Sequence, residues 1–249
     1  TAPRLVPLAA LLSIASAVAL TACTPDADTA QPPAPPAAQP DPDAARAPEA
    51  ALSTEVYNPG ASGIFAVTSV LITGPTEAVL VDAQFSTADA RKLVERVRAS
   101  GKTLTTIYIS HSDPDYYFGL ETLREAFPDA RIVATPPTIA LIEASRAGKL
   151  AFWGPKLGDN APRTTIGPEP LQGDTLTVDG QDLKIIGLDG ATPDRTFVWM
   201  PATRTVLGGI PVLAGEHVWM ADTQTPESHA HWLATLDAIK ALQPARVIP

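Results

Sequence analysis

Cysteine and histidine are scarce in this chain of 249 residues. There is one cysteine, Cys23, and there are four histidines. A single cysteine excludes an internal disulfide and a cysteine-based metal cluster. Basic charge is also in deficit, since 18 Lys and Arg residues face 27 Asp and Glu residues, for a formal net charge of −9. Nucleic-acid binding needs a basic face, so we expect no nucleic-acid partner.

Long apolar runs are also rare, and the most prominent one, Leu5–Leu20, lies near the start of the chain. It is shorter than the roughly 20 residues of a membrane-spanning helix. Arg4 precedes it and Thr21-Ala22-Cys23 follows it, which is the order of charge, apolar stretch and small residues in a signal peptide. The run Leu-Thr-Ala-Cys resembles the lipobox of bacterial lipoproteins. We therefore interpret residues 1–22 as a lipoprotein signal peptide and Cys23 as the acylated residue. The alternative is an ordinary secretory signal, with Cys23 there by chance.

Residues 23–50 are rich in Pro and Ala and contain no large apolar side chain. Such a segment cannot compensate the entropy of ordering, so it predicts a disordered tether between a lipid anchor and the domain at 51–249. The anchor implies a membrane partner and a place in the cell envelope, with the domain in the periplasm or outside. Thr24 is not the aspartate that tends to retain lipoproteins of enteric bacteria at the inner membrane, so the outer membrane is preferred by resemblance.

The domain alternates apolar runs with amphipathic stretches in its first half. We expect strands at 64–73, 77–82, 104–110 and 131–135, with helices after the second and third of them. The second half contains short strands separated by Gly, Pro and Asp-Gly turns, then a helix from Pro226. Two β-rich halves with helices outside predict an α/β (α+β) fold, an αββα sandwich.

The stretch SHSDPDYYFG at 110–119 carries the main chemical signal. His111, Asp113 and Asp115 alternate, and residues two apart on an extended segment share a face. If the loop curls, these three side chains could hold a metal ion. Zinc favours imidazole, whereas carboxylates suit harder divalent ions, so the ion could be Zn, Mn or Fe. Asp115 could instead take a proton from water, and Tyr116 could assist it.

The same stretch also has an explanation that requires no ligand. Asp-Pro-Asp is good turn chemistry, because Asx side chains bond nearby backbone and proline fixes φ. Asp115 could cap the helix that runs to Phe127. In that case the protein would bind no metal here.

The stretch resembles the signature of the metallo-β-lactamase superfamily, H-x-H-x-D-H followed shortly by glycine. His111 matches the first histidine, Asp115 the aspartate and Gly119 the glycine, whereas Asp113 and Tyr116 stand in place of the other two histidines. The resemblance covers most of 51–249. It implies the αββα sandwich and a metal-dependent hydrolase with an altered H-x-D-x-D-Y site.

Later ligand positions of the family are also altered. The Gly-His-Thr-Pro-like turn is Gly-Ala-Thr-Pro here, which places Ala191 at a ligand position, and Ile210 falls where a bridging aspartate is usual. The last ligand histidine normally follows Val-Pro-Gly. The sequence given ends at Pro249, so the resemblance implies that the natural chain continues with this histidine.

Four further residues are candidates for the pocket. His217 could face the site or pack against Trp219, and Trp153 lies in a predicted Gly/Pro-rich loop at 152–162 that could line a pocket or merely connect elements. Asp189 and Asp194 flank the Ala191 turn and could replace the lost ligand.

Two functions follow as hypotheses. The first is a lipid-anchored metal-dependent hydrolase that acts on a small-molecule ester, lactone, amide or phosphoester. The second is a non-catalytic envelope lipoprotein that binds a small ligand and has lost its metal. A purely structural lipoprotein has no positive feature in its favour.

Overall fold

The computed structural model describes residues 51–215 and 217–249, so the predicted signal peptide, Cys23 and the tether lie outside the described residues. The strands of the described part are β1 (Ser53–Tyr57), β2 (Ser69–Thr73), β3 (Glu77–Val81), β4 (Thr103–Ile109), β5 (Arg131–Ala134), β6 (Glu169–Pro170), β7 (Thr175–Val178), β8 (Gln181–Ile186), β9 (Phe197–Met200), β10 (Thr205–Leu207) and β11 (Arg246–Val247). The α-helices are α1 (Thr87–Ser100), α2 (Pro114–Tyr117), α3 (Leu120–Ala126), α4 (Pro136–Leu157) and α5 (Pro226–Ala241).

The strands form two sheets. The first has the order β1-β2-β3-β4-β5-β6, antiparallel up to β3 and parallel from β3 to β6. The second has the order β11-β10-β9-β8-β7, antiparallel except for the parallel pair of β10 with β11. The predicted strand–helix alternation of the first half and the short turn-linked strands of the second are thus confirmed.

Side-chain alternation along the strands shows why the sheets stack as layers. On β3, Val79 and Val81 point into a core shared with Val198 and Leu207 of the second sheet, whereas Leu80 joins a core with the helices. That second core contains Leu93 of α1, Leu120 of α3 and Ile142 of α4. On the far side, α5 packs Ile239 against Phe197 and Val206. Because a strand places successive side chains on opposite faces, these cores define four layers, and the predicted αββα sandwich is confirmed.

Helix ends follow local chemistry. Ser86 caps α1, since its hydroxyl accepts from the Asp89 amide at 3.0 Å, and Gly101 ends α1 with φ of 65°. Thr225 caps α5 in a capping box with Ser228, and Pro226 follows at the first helical position as predicted.

Two sequence predictions are corrected. The strand predicted at 64–73 begins only at Ser69, and Ile64 is 53% exposed in the preceding loop. The loop predicted at 152–162 is wrong over its first half, because α4 runs to Leu157 through Gly154 and Pro155. Pro155 lies in the last turn of α4, where it removes one backbone bond near the end of the helix and leaves the rest intact.

No helix in the described part of the chain has both the length and the apolar character needed to cross a bilayer.

Candidate functional site

A buried polar network lies where β3 and β4 end side by side. The Asp82 carboxylate accepts from the Ser110 amide at 2.8 Å and from the Ser110 hydroxyl at 2.6 Å. The Ser110 hydroxyl in turn accepts from the Gly209 amide at 2.8 Å. Because Gly209 follows β10, these hydrogen bonds join the two sheets just before residues 111–113, which we call the motif loop. They therefore fix the position at which the motif loop begins.

The motif loop starts at His111 and enters α2 at Pro114. Asp113 precedes α2, and one of its carboxylate oxygens accepts from the Lys149 ammonium at 2.9 Å. The same ammonium donates to the Ser112 carbonyl at 2.9 Å. Lys149 belongs to α4, which thus lies directly against the loop. The loop is therefore held by β4 at one end and by α4 along its side.

His111 is the most enclosed of the predicted site residues, with 4% of its surface exposed. Burial is the main cause that lowers the pKa of its imidazole. The positive charges of Arg195 and Lys149 lower this pKa further, whereas the negative charges of Asp113 and Asp194 raise it. Its Nδ1 accepts from the Asp113 amide at 3.3 Å. Neutral His111 therefore carries its proton on Nε2.

Asp115 is half-buried in α2. Burial raises the pKa of its carboxyl to about 7, and the negative charge of Asp113 acts in the same direction. Burial also raises the pKa of Tyr116, assisted by the charges of Asp115, Asp82 and Asp113. The Tyr116 ring contacts the His111 imidazole edge-on, with centroids 5.1 Å apart. Asp115 is thus a carboxyl of raised pKa next to the Tyr116 phenol, whose ring in turn contacts His111.

The helix-capping explanation of the motif is not observed. Asp115 lies inside α2, and neither Asp113 at the start of α2 nor Gly119 at the start of α3 forms a side-chain cap bond. The turn itself is real, since Pro114 occupies the first helical position of α2. The Asp113 carboxylate bonds Lys149 instead, and Asp115 lies in the first turn of α2 and not at the start of the helix that runs to Phe127.

The two aspartates that flank the Ala191 turn differ in position. Asp189 is exposed, whereas Asp194 is half-buried and its carboxylate lies 3.9 Å from Arg195 Nε. The Arg195 guanidinium also pairs with Asp222 at 2.5 Å and lies over the Trp232 ring. Asp194 contributes negative charge near His111, whereas Asp189 faces solvent.

His217 and Trp219 lie on the surface. The His217 side chain is exposed and 65% of the Trp219 surface is exposed. The two positions predicted for His217, facing the site or packed against Trp219, stay predictions.

Trp153 lies in an aromatic cluster beside the motif loop. Its ring contacts Phe65 at 5.3 Å and Phe85 at 5.4 Å, and Phe85 stacks on Phe118, which follows α2. Phe152 extends the cluster outward and is 56% exposed. Trp153 is thus one turn of α4 from Lys149 and forms part of an apolar wall next to the charged loop.

The described residues do not fit a three-ligand metal ion. Among residues 51–215 and 217–249, no three His, Cys, Asp or Glu side chains come close enough to hold one together. His111 Nδ1 lies 3.5 Å from one Asp113 oxygen, but the other oxygen is bonded to Lys149. The predicted convergence of His111, Asp113 and Asp115 on a single ion is therefore not formed by these residues.

Four residues of this site were missed by sequence reasoning. Asp82 and Ser110 are the last residues of two predicted strands, and polar residues at strand ends are a recognisable signal in the sequence. Lys149 and Arg195 carried no signal, because each reaches the loop from an element distant in sequence. Lys149 lies in a stretch where no helix was predicted.

Comparison with known proteins agrees with this architecture. A model of the metallo-beta-lactamase superfamily matches residues 62–249. The structure of a metallo-beta-lactamase from Pontibacter korlensis is similar at a TM-score of 0.56 and 18% identity, over 80% of this chain and 86% of that one. A metallo-beta-lactamase family protein from Thermus thermophilus is similar at a TM-score of 0.57 and 19% identity, over 80% of this chain and 72% of that one.

Comparison with curated proteins gives no match. At these identities the structural likeness concerns the fold alone. The family model covers more than half of the chain. The chain is therefore a member of the metallo-β-lactamase superfamily.

Proposed function

We propose that the protein is a hydrolase of small molecules in which Asp115 acts as the general base. The observation that carries this proposal is the pKa of Asp115, which burial raises to about 7. A base whose pKa lies near the working pH combines a useful charged fraction with a useful affinity for a proton. Clustering of such perturbed groups in one place is typical of functional sites.

The reaction that fits is hydrolysis of an ester, lactone, amide or phosphoester. Asp115 takes a proton from water as the water oxygen adds to the carbonyl carbon or phosphorus. The bond to the leaving group then breaks, and the proton held by Asp115 returns to the leaving oxygen or nitrogen. The Tyr116 phenol follows Asp115 in the chain and contacts the neutral His111 ring, and Trp153 belongs to the aromatic cluster beside the motif loop.

A panel of nitrophenyl esters, a lactone, a nitroanilide and a bis-nitrophenyl phosphate tests the proposal. For any substrate that is turned over, we expect kcat/KM to rise with pH through about 7, because Asp115 must lose its proton to act. Asp115→Asn should lower kcat/KM by about 100-fold or more and remove this limb. The matched control is Asp129→Asn, at an exposed aspartate. An unchanged rate in Asp115→Asn would refute the assignment.

A second function, binding without catalysis, is favoured by a different observation. Lys149 already neutralises Asp113, and the described residues bring no three metal ligands together. In this second function the protein holds a small ligand at the motif loop without turning it over. No turnover across the panel, together with a ligand that raises the melting temperature in a Trp153-dependent way, would select this function.

The localisation we propose is the cell envelope, with Cys23 acylated and residues 23–50 as a tether. This proposal rests on the signal-peptide pattern of residues 1–22.

A further inference from the structure

Lys149 lies on a long helix and not in a surface loop. It lies in the middle of α4, whose Ile142 and Leu157 are buried against the first sheet. The side chain of Lys149 is 25% exposed. Because the packed helix already confines Lys149, pairing its ammonium with Asp113 loses less conformational entropy than a pair between two free side chains.

The Asp113 carboxylate lies between two partners. One oxygen accepts from Lys149 at 2.9 Å, and the other faces His111 Nδ1 at 3.5 Å. Lys149 is tied to the loop a second time through the Ser112 carbonyl at 2.9 Å. The ammonium is thus bonded to two consecutive residues of the segment in which the family signature places its ligands.

We infer that the Lys149 ammonium takes the place of the metal ion at the motif loop of this protein. A positive charge bonded to Asp113 repels a divalent cation at the same carboxylate. At about 4 Å two unit charges interact strongly even at an effective dielectric constant near 20. The substitution of Asp113 for the second histidine is then matched by Lys149, because an aspartate carries the negative charge of an ion pair with the ammonium, which a neutral imidazole lacks.

This inference goes beyond the proposed hydrolysis and does not depend on it. A fixed ammonium is compatible both with catalysis by Asp115 and with binding alone. A metal-binding measurement therefore decides it without any reference to activity.

The test is Zn²⁺ and Mn²⁺ binding by calorimetry, with elemental analysis after desalting, on the full protein and its variants. Wild type, the charge-conserving Lys149→Arg and the control Lys156→Met should bind neither ion tightly. Lys156 is in the same helix, over the Phe152 ring and remote from Asp113. Lys149→Met should bind at least one of the ions about tenfold more tightly or better, and the gain should vanish in Lys149→Met/Asp113→Asn.

Two results would overturn the inference. One is a wild type that holds an equivalent of metal as tightly as Lys149→Met. The other is a folded Lys149→Met with no gain. If Lys149→Met fails to fold, Lys149→Gln keeps a hydrogen-bond donor toward Ser112 and Asp113 without the charge, and the same two results apply to it.

Discussion

At the scale of single residues, Asp82 combines three unusual properties. It is fully buried, its backbone has φ of 65°, and burial raises its pKa to about 7 despite two bonds from Ser110. Left-handed backbone is uncommon for residues other than glycine, and Asn and Asp tolerate it best. The carboxyl is therefore held in place by its bonds to Ser110 at the cost of desolvation.

Asp82 makes stability depend on pH in a defined direction. Between about pH 4 and pH 7 the folded protein keeps a proton that the unfolded chain releases, so the free energy of unfolding should fall as pH rises and level off above about 7. Burial of Asp115 contributes with the same sign. Asp82→Asn should remove part of this slope, on the order of a few kcal/mol over the window. Urea unfolding at pH 5, 6, 7 and 8 measures it, and a slope unchanged in Asp82→Asn would contradict the assignment.

Gly119 gives a sharper prediction about packing. A Cβ at this position would lie 1.9 Å from the Ala83 carbonyl oxygen and 2.8 Å from the Ala90 Cβ. Gly119→Ala should therefore lower the free energy of unfolding by about 3 kcal/mol or more, since the backbone must shift. Gly148 is the matched control, because it is helical and has nothing within 4 Å of the added Cβ. Gly148→Ala should raise stability by about 0.5–1 kcal/mol.

Comparable losses in the two glycine variants in a chemical denaturation series would show that the close approach at Gly119 is not what requires glycine there.

The residues of the motif loop could be predicted, but their partners could not. His111, Asp113 and Asp115 were recognisable from their spacing and from the end of a β-strand. Whether they converge depends on the turn at Pro114 and on the side chain of Lys149, 36 residues after Asp113. A local sequence pattern contains no information about a charge on a helix that is distant in sequence. The motif therefore predicts three ligands around one ion, whereas the structure shows an ion pair between Asp113 and Lys149.

At the scale of elements, strands and capped helices were predictable and α4 was not. Its sequence contains two prolines at the start, Gly148, and a Gly-Pro pair near the end, which local rules assign to turns. Pro136 fits the first helical turn, and Thr135 supplies the cap. Packing of Ile142 and Leu157 then stabilises the helix against its weak propensity.

The contact between β1 and α1 yields a prediction of its own. The Tyr57 hydroxyl donates to the Asp89 carboxylate at 2.6 Å, and Asp89 also accepts from Ser86 at the start of α1. Tyr57→Phe should lower the free energy of unfolding by about 1 kcal/mol, because Asp89 loses one donor in a partly buried place. Arg96 lies over the Tyr57 ring and not at its hydroxyl, so its contact with the ring should persist. Thermal unfolding measures this loss. The reference variant is Ser53→Ala, which removes an exposed hydroxyl of β1. Equal melting temperatures in the two variants would contradict the prediction.

At the scale of the whole molecule, the layered fold was predictable because it follows from alternation alone. Strand faces, helix faces and the order of apolar runs are properties of the sequence, and they determined the sandwich. The function was not predictable to the same degree, since the fold hosts many reactions and the site is altered at several ligand positions.

The predicted anchor can be tested on the complete chain in a bacterial host. Labelled palmitate should be incorporated into the wild type, and the protein should sediment with membranes. Cys23→Ser should lose the label and appear in the soluble fraction, because acyl chains provide the membrane affinity. Label retained in Cys23→Ser would exclude this cysteine as the acylation site, whereas an unlabelled, secreted wild type would indicate an ordinary signal peptide.

The bond between the Gly209 amide and the Ser110 hydroxyl spans 99 residues of sequence. During synthesis on a ribosome, Asp82 and Ser110 emerge long before their last partner. The first sheet and its helices can assemble early, but the segment after β4 acquires its final support only once β10 has been made and docked. The hydrogen bonds that support the start of the motif loop are therefore complete only after β10 has been made, well after the loop itself.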